Sequence, residues 1–449
     1  MSHILYRESL HRTLPVAVAG DGPYLIDAQG KRYIDGSGGA AVSCLGHSNE
    51  AVRAAIREQT DKLAFAHTRF FTTEAAELLA DDLVSNAPGE LSKVWLTCGG
   101  SESVEAALKL TRQYFVETNQ PQRKYVIARR QGYHGNTFGA LSASGNIFRR
   151  RQFEPVLIDS MQHVSPCYAY RDQRADETPE AYGLRLANEL EAKMQELGTG
   201  NVAAFIAETV VGATLGCVTA VPGYFKRIRE ICDRYGVLLI LDEVMCGMGR
   251  TGTRYACEQE GIAPDLLTVA KGLGAGYQPI GAVLIAEKIH RAIERGSNVV
   301  MHGHTFTAHP VACAAAVATQ NEIRQHDLLA NVKRQGDALL KALKDRFGNH
   351  PHVGDIRGRG LFLALEFVAD RRTKQPFDPA FKVSARVKDV GMENGLICYP
   401  AGGIVDGKVG DHAMIAPAYI VNEAHIAEIV DKLGRTVDAV LREAVAKAA

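Results

Sequence analysis

The chain has 449 residues, beyond the usual size of a single hydrophobic core, so two subdomains sharing one site are expected. Lysine plus arginine equals aspartate plus glutamate at 51 each, which leaves no net field to draw nucleic acid or an anionic membrane. The nine cysteines are scattered and nowhere spaced C-x-x-C, which argues against a zinc site or a disulfide framework and for the reduced thiols of a cytoplasmic protein. The start, MSHILYRESLHR, lacks the apolar stretch of a signal peptide, and the apolar segments around Val202 to Val221 are broken by Glu208 and several glycines. Neither export nor a membrane span is expected.

Taken in chain order, Tyr24 to Asp27 and Lys31 to Ile34 flank the turn-forming Ala28-Gln29-Gly30 and read as a hairpin. From about residue 73 strands and helices alternate: a helix over Glu74 to Val84, a strand over Lys93 to Thr97, a helix over Ser101 to Phe115 and a strand over Tyr125 to Ala128. Further strands are predicted at Ala203 to Glu208, Val237 to Asp242, Leu266 to Val269 and Ala282 to Ile285, with helical segments such as Tyr224 to Tyr235 between them. The continuous apolar run Val237-Leu238-Leu239-Ile240-Leu241 suits a strand buried on both faces. The predicted class is therefore α/β, with a mostly parallel sheet flanked by helices and ligands bound beyond the strand ends.

After about residue 320 a long helical stretch runs to Phe347, followed by strands near Leu361 to Phe367 and Met414 to Ala416 and a helix from Glu423 to the end. The chain divides on this reading into an N-terminal segment (1–60) that joins a small subdomain, a large domain (61–325), and a C-terminal α+β subdomain (326–449).

Three elements carry chemistry. Cys98-Gly99-Gly100-Ser101 follows a strand and opens a helix, where glycines admit a phosphate to unpaired backbone N–H groups. The plain alternative is a glycine turn with a serine cap. Asp242 ends an apolar strand, facing the place where α/β proteins bind ligands, or else forms a strand-end ion pair. Lys271 lies just past an apolar strand in the small-residue loop Ala270-Lys271-Gly272-Leu273-Gly274. It is either a desolvated, nucleophilic amine able to form an imine or a surface lysine.

Their fixed order, with Asp242-Glu243-Val244 and the tail Gly247-Met248-Gly249-Arg250-Thr251-Gly252 ahead of Lys271, closely resembles the class-III (ω) aminotransferases of PLP fold type I. The resemblance runs from Gly22-Pro23-Tyr24 and Leu45-Gly46-His47 to Ala416-Pro417. It implies pyridoxal 5'-phosphate (PLP) as cofactor and ping-pong transamination. Lys271 would be the Schiff-base and proton-transfer lysine, and Asp242 the partner of the pyridinium. Val244 and Tyr133 would cover the two ring faces, while Gly100 and Ser101 hold the phosphate. Glu208 would orient the site, although Thr209-Val210-Val211 replaces the family's usual Pro-x-Gln. Thr305 would reach the phosphate of a neighbouring subunit in a homodimer, or a tetramer built from such dimers.

Other conspicuous residues take plainer readings: His134 as a packed neighbour, Met245 and Met248 as pocket packing, Gly358-Arg359-Gly360-Leu361 as a turn, and Arg149-Arg150-Arg151 as a solvated or interface cluster. The arginine that many relatives place before the final Ala-Pro-Pro to hold an α-carboxylate is absent from Met414-Ile415-Ala416-Pro417-Ala418. A second anchoring arginine is missing after Gly395-Leu396-Ile397. The expected donor is accordingly a primary amine or ω-amino compound and the acceptor a 2-oxo acid; the sequence does not identify the arginine for the acceptor carboxylate, and Arg69 and Arg254, the two candidates, read rather as structural ion pairs. An aminomutase, phospho-lyase or decarboxylase could use the same residues. A non-catalytic PLP-binding regulator is disfavoured by the retained Lys271 and Asp242 and by the missing recognition helix.

Overall fold

The computed structural model describes residues 3–6 and 13–448, with side chains to Val445; the rest of the N-terminal stretch read above for an export signal lies outside the described residues. The central element is a seven-stranded sheet. Across it run Leu91–Thr97, Gly281–Ala286, Leu266–Val269, Leu238–Asp242, Val202–Glu208, Tyr125–Arg129 and Met161–Val164. Gly281–Ala286 runs antiparallel to both its neighbours, and the other pairings are parallel.

Strand alternation explains the apolar runs. Ala204, Ile206, Leu238 and Ile240 point to one face, where Val104, Ala107 and Leu108 of the helix Gly100–Glu117 cover them. Phe205, Ala207, Leu239 and Leu241 point to the other, against Leu79 and Leu83 of Glu74–Ser85, Leu186 and Leu190 of Pro179–Leu197, and Phe225 and Ile228 of Tyr224–Tyr235. A sheet covered on both sides needs apolar residues at every position, as these strands have.

Two four-stranded sheets accompany this layer, besides the short pair Val210–Val211 and Val218–Thr219. Ala17–Asp21, Tyr24–Asp27 and Arg32–Asp35 form an antiparallel meander to which Leu396–Ile397 adds in parallel, joining the chain's two ends. Val353–Arg359, Phe362–Phe367, Asp411–Ile415 and Tyr399–Gly402 form an antiparallel sheet whose core includes residues of the helices Leu328–Phe347, Val383–Glu393 and Glu423–Ala448. Buried Arg250 links the central layer to the latter sheet by donating to the carbonyls of Leu361 and Pro417.

The helical stretch predicted after residue 320 is two helices, Pro310–Gln325 and Leu328–Phe347. The break falls at Asp327, which adopts φ 46°, a left-handed conformation that a short polar side chain tolerates. Val353–Arg359 was not anticipated as a strand, because most of its residues are only half-buried and its Gly-Asp-Ile-Arg-Gly-Arg sequence shows little alternation. Gly360 and Leu361 form the turn into the next strand, with Gly360 at φ 56°. No helix among the described residues is long and apolar enough to cross a membrane.

Candidate active site

Strand register brings the chemistry to one edge. Asp242 pairs with Glu208 on one side and Thr268 on the other, so two carboxylates finish neighbouring parallel strands, and Lys271 follows two residues after the third. Beyond these ends lies a cavity of about 480 Å³. Lys271, Asp242, Glu208, Tyr133, Val244, Gly100 and Ser101 all line it.

Lys271 opens a short 3-10 turn, Lys271–Leu273, directly after its strand, with φ 41°. Burial lowers its pKa to about 8; the Asp242 carboxylate opposes this, while Arg149 and Arg250 push the same way. An amine of this kind is half neutral at about pH 8, so it has a nucleophilic fraction near neutral pH that an ordinary lysine lacks.

Asp242 is 4% exposed and fully engaged. Its Oδ1 accepts the Val244 N–H at 3.0 Å and lies 3.4 Å from the Thr268 hydroxyl, while Oδ2 stands 2.8 Å from His134 Nδ1. His134, read from sequence as a packed neighbour, is thus a direct partner of the site's central carboxylate. The signal available was only its position beside Tyr133.

Glu208 is held by Arg129 at 3.4 Å and accepts the Tyr133 backbone N–H at 3.0 Å. It therefore anchors the loop that presents the Tyr133 ring. Glu243, next to Asp242, turns away from the cavity: it accepts from the Thr209 hydroxyl and from the Ala256 and Cys257 amides, and burial pushes its pKa up to about 7.

The turn Cys98-Gly99-Gly100 feeds the helix Gly100–Glu117, which begins at the cavity. A Cβ on Gly100 would stand 2.6 Å from Val244 Cγ1, so glycine is needed for this close approach. A Cβ on Gly99 would meet nothing within 4 Å, which leaves the turn open. Ser101 Oγ accepts the Asn136 N–H at 3.0 Å, tying the Tyr133 loop to the helix start.

The remaining candidates separate. Thr305 is exposed and does not line this cavity, although its loop touches the glycine turn where Cys98 Sγ lies 3.8 Å from the Phe306 carbonyl. Met245 lines the cavity, whereas Met248 is in the core. Arg69 is exposed, and Arg254 is paired with Asp82 at 2.5 Å away from the cavity lining. Of the three consecutive arginines, Arg150 donates to the Ser142 and Ser144 carbonyls, while Arg149 lines the cavity with its guanidinium 4.6 Å from the Tyr133 ring centroid.

An amine, a buried carboxylate, a glycine-opened helix N-terminus, an aromatic and a branched aliphatic lining one cavity suit a flat aromatic aldehyde bearing a phosphate. The chain matches the family model for class-III aminotransferases over residues 6–437. An uncharacterized aminotransferase of Schizosaccharomyces pombe is 44% identical over 436 residues, spanning 97% of this chain and 95% of the relative. An adenosylmethionine-8-amino-7-oxononanoate aminotransferase of Geobacter sulfurreducens is 34% identical over 428 residues, spanning 95% and 92%. Among solved structures, an (S)-enantioselective omega-transaminase from Thermomicrobium roseum superposes with a TM-score of 0.92 at 34% identity, covering 98% of this chain and 96% of that one. With this sheet, this cavity and these relatives, the chain belongs to the class-III aminotransferases, PLP-dependent enzymes of PLP fold type I.

Proposed function

We propose that this aminotransferase moves the amino group of a primary amine or ω-amino compound to a 2-oxo acid such as pyruvate, in two half-reactions of ping-pong type. The observation that carries this reading is the wall formed by the final sheet. Tyr399 reaches the cavity, and the strand Asp411–Ile415 brings Met414 and Ile415 into the core with no arginine. The rest of that side is Val210, Gly212, Ala213 and Met245, so this wall itself supplies no arginine for an α-carboxylate.

Bound PLP supplies an electron sink for the negative charge that develops at the donor carbon. In this reading Asp242 holds the ring nitrogen's proton, backed by His134. Tyr133 and Val244 hold the ring between them, and Gly100 and Ser101 meet the phosphate at the helix N-terminus. The Nζ of Lys271 would hold the cofactor's aldehyde carbon and, as a freed amine, would accept the proton from the donor carbon and carry it through the transfer. Glu208 keeps Tyr133 in place through its backbone.

A homodimer completes the site in this proposal. Phe65, Phe70, Phe71, Met301 and Phe306 are large apolar side chains exposed on the single chain, and the Phe65 and Phe306 rings stand 5.9 Å apart beside Thr305. Such a patch supports burial against a second copy that would bring Thr305 to the neighbouring phosphate. All nine cysteines are free thiols, which supports a cytoplasmic location.

The experiment is a donor panel with pyruvate as acceptor, comparing primary amines, ω-amino acids and α-amino acids. The expected result is alanine formation favoured by amines whose reacting carbon bears no carboxylate. Preference for α-transfer from glutamate or ornithine over every terminal amine would reject the substrate assignment. Release of ammonia, phosphate or carbon dioxide in place of alanine would reject transfer.

A further inference from the structure

One cation in the cavity has no assigned task. Arg149 lines the 480 Å³ cavity and also a second, larger one of about 940 Å³; Ala213 and Tyr399 are shared by both. It therefore stands at the neck where the two meet. Its position is set from both ends: Asn146 Oδ1 accepts its backbone N–H at 3.2 Å, and its guanidinium lies over the Tyr133 ring.

Among the described residues no carboxylate lies within ion-pairing distance of that guanidinium, and no side-chain hydrogen bond engages it. Its neighbours differ. Arg150 is spent on backbone carbonyls, and Arg129 and Arg250, both buried, are tied to Glu208 and to the Leu361 and Pro417 carbonyls. Stacking on an aromatic uses only the face of a guanidinium, so its in-plane N–H donors stay free for a two-pronged pair with a carboxylate. Arg149 and Lys271 line the same cavity, so a carboxylate bound at Arg149 shares the pocket that receives the reacting end of a small substrate.

We infer that Arg149 is the residue that binds the substrate carboxylate: that of the 2-oxo acid in one half-reaction and the remote one of an ω-amino acid in the other. This rests on the transaminase reading, since a ping-pong enzyme receives both substrates in one pocket. A donor with no carboxylate leaves the arginine unpaired. A donor with a remote one presents its amine to Lys271 and its acid to the neck between the cavities. The larger cavity behind the neck accommodates the rest of a long donor.

The test uses the PLP-loaded enzyme titrated with propionate and with its neutral counterpart propionamide, following the visible absorbance of the cofactor. Arg149→Gln is expected to weaken propionate about tenfold to a hundredfold, the range spanned by losing a hydrogen bond to a charged group, with a far smaller effect on propionamide. Arg149→Lys is expected to fall between, because it keeps the charge without the two-pronged geometry. In turnover, KM for pyruvate rises relative to KM for 1-phenylethylamine by a similar factor. Unchanged propionate affinity in Arg149→Gln, equal loss of both ligands, or no saturable propionate response in the wild type would each overturn the assignment. A wild-type protein that binds propionate through Arg149 yet shows no half-reaction with any amine would reject the transaminase reading and leave the carboxylate site standing.

Discussion

The imidazole of His134 and the carboxylate of Asp242 share a hydrogen bond of 2.8 Å with both side chains buried. Burial alone would lower the pKa of the imidazole, but the Glu208 and Asp242 carboxylates outweigh it and the pKa is raised. His134 is thereby favoured as a cation behind Asp242. That arrangement orients one carboxylate oxygen while the backbone N–H of Val244 engages the other.

Replacing His134 by glutamine removes that charge with little change in volume. The raised pKa means that the stabilising contribution is fully present below the ordinary imidazole value of about 6.5 and is lost as pH rises through the folded-state value. Thermal unfolding of the two proteins is expected to differ by about 1.5–3 kcal/mol at the acid end and to converge as pH is raised. A difference that grows with pH would contradict the charged assignment. Single-turnover amine half-reactions are expected to slow in the same variant.

Lys271 is expected to be labelled by an amine-directed reagent in the cofactor-free protein with a midpoint near its pKa of about 8. An unperturbed lysine side chain has a pKa of about 10.4. Site-resolved mass spectrometry over a pH series measures both in one sample. A Lys271 midpoint indistinguishable from the surface set would remove the desolvation argument, and Lys271→Ala is expected to abolish the visible absorbance of the loaded enzyme.

Gly100→Ala places a methyl group 2.6 Å from Val244 Cγ1 and must displace a wall of the cavity. Overpacking of this kind costs about 1–3 kcal/mol. It is expected to appear as faster loss of PLP on dialysis against inorganic phosphate. The double variant Gly100→Ala, Val244→Ala relieves the contact; if it retains cofactor no better than the single variant, the clash is not the cause.

Thr305→Ala is expected to weaken PLP retention by about 1.5–3 kcal/mol, the loss of one hydrogen bond to a charged group, without altering the monomer fold. Because Thr305 is exposed on the single chain, this effect requires a second subunit. Sedimentation and activity measured together over a dilution series check it: a fully active monomer would dismiss the shared site.

What the sequence by itself determined is the local grammar of the site. A glycine turn opening a helix, an aspartate ending an apolar strand and a lysine just past another are each written in consecutive residues, and continuous apolar runs announce strands covered on both faces. That grammar names Gly100, Ser101, Asp242 and Lys271, the family resemblance adds Tyr133, Glu208 and Val244, and all seven line one cavity. The tertiary structure alone decided which distant partners these residues meet. His134 lies 108 positions before Asp242, and only the register of the parallel strands, together with the loop anchored on Glu208, brings them into contact. Arg149 looked like one of three equivalent basic residues, yet a cap from Asn146 and the face of Tyr133 turn it into the cavity while Arg150 is consumed by backbone carbonyls. Periodicity and turn chemistry act over a few residues and can be read along the chain. Side-chain pairing across a fold depends on register and packing, which spacing in sequence does not encode.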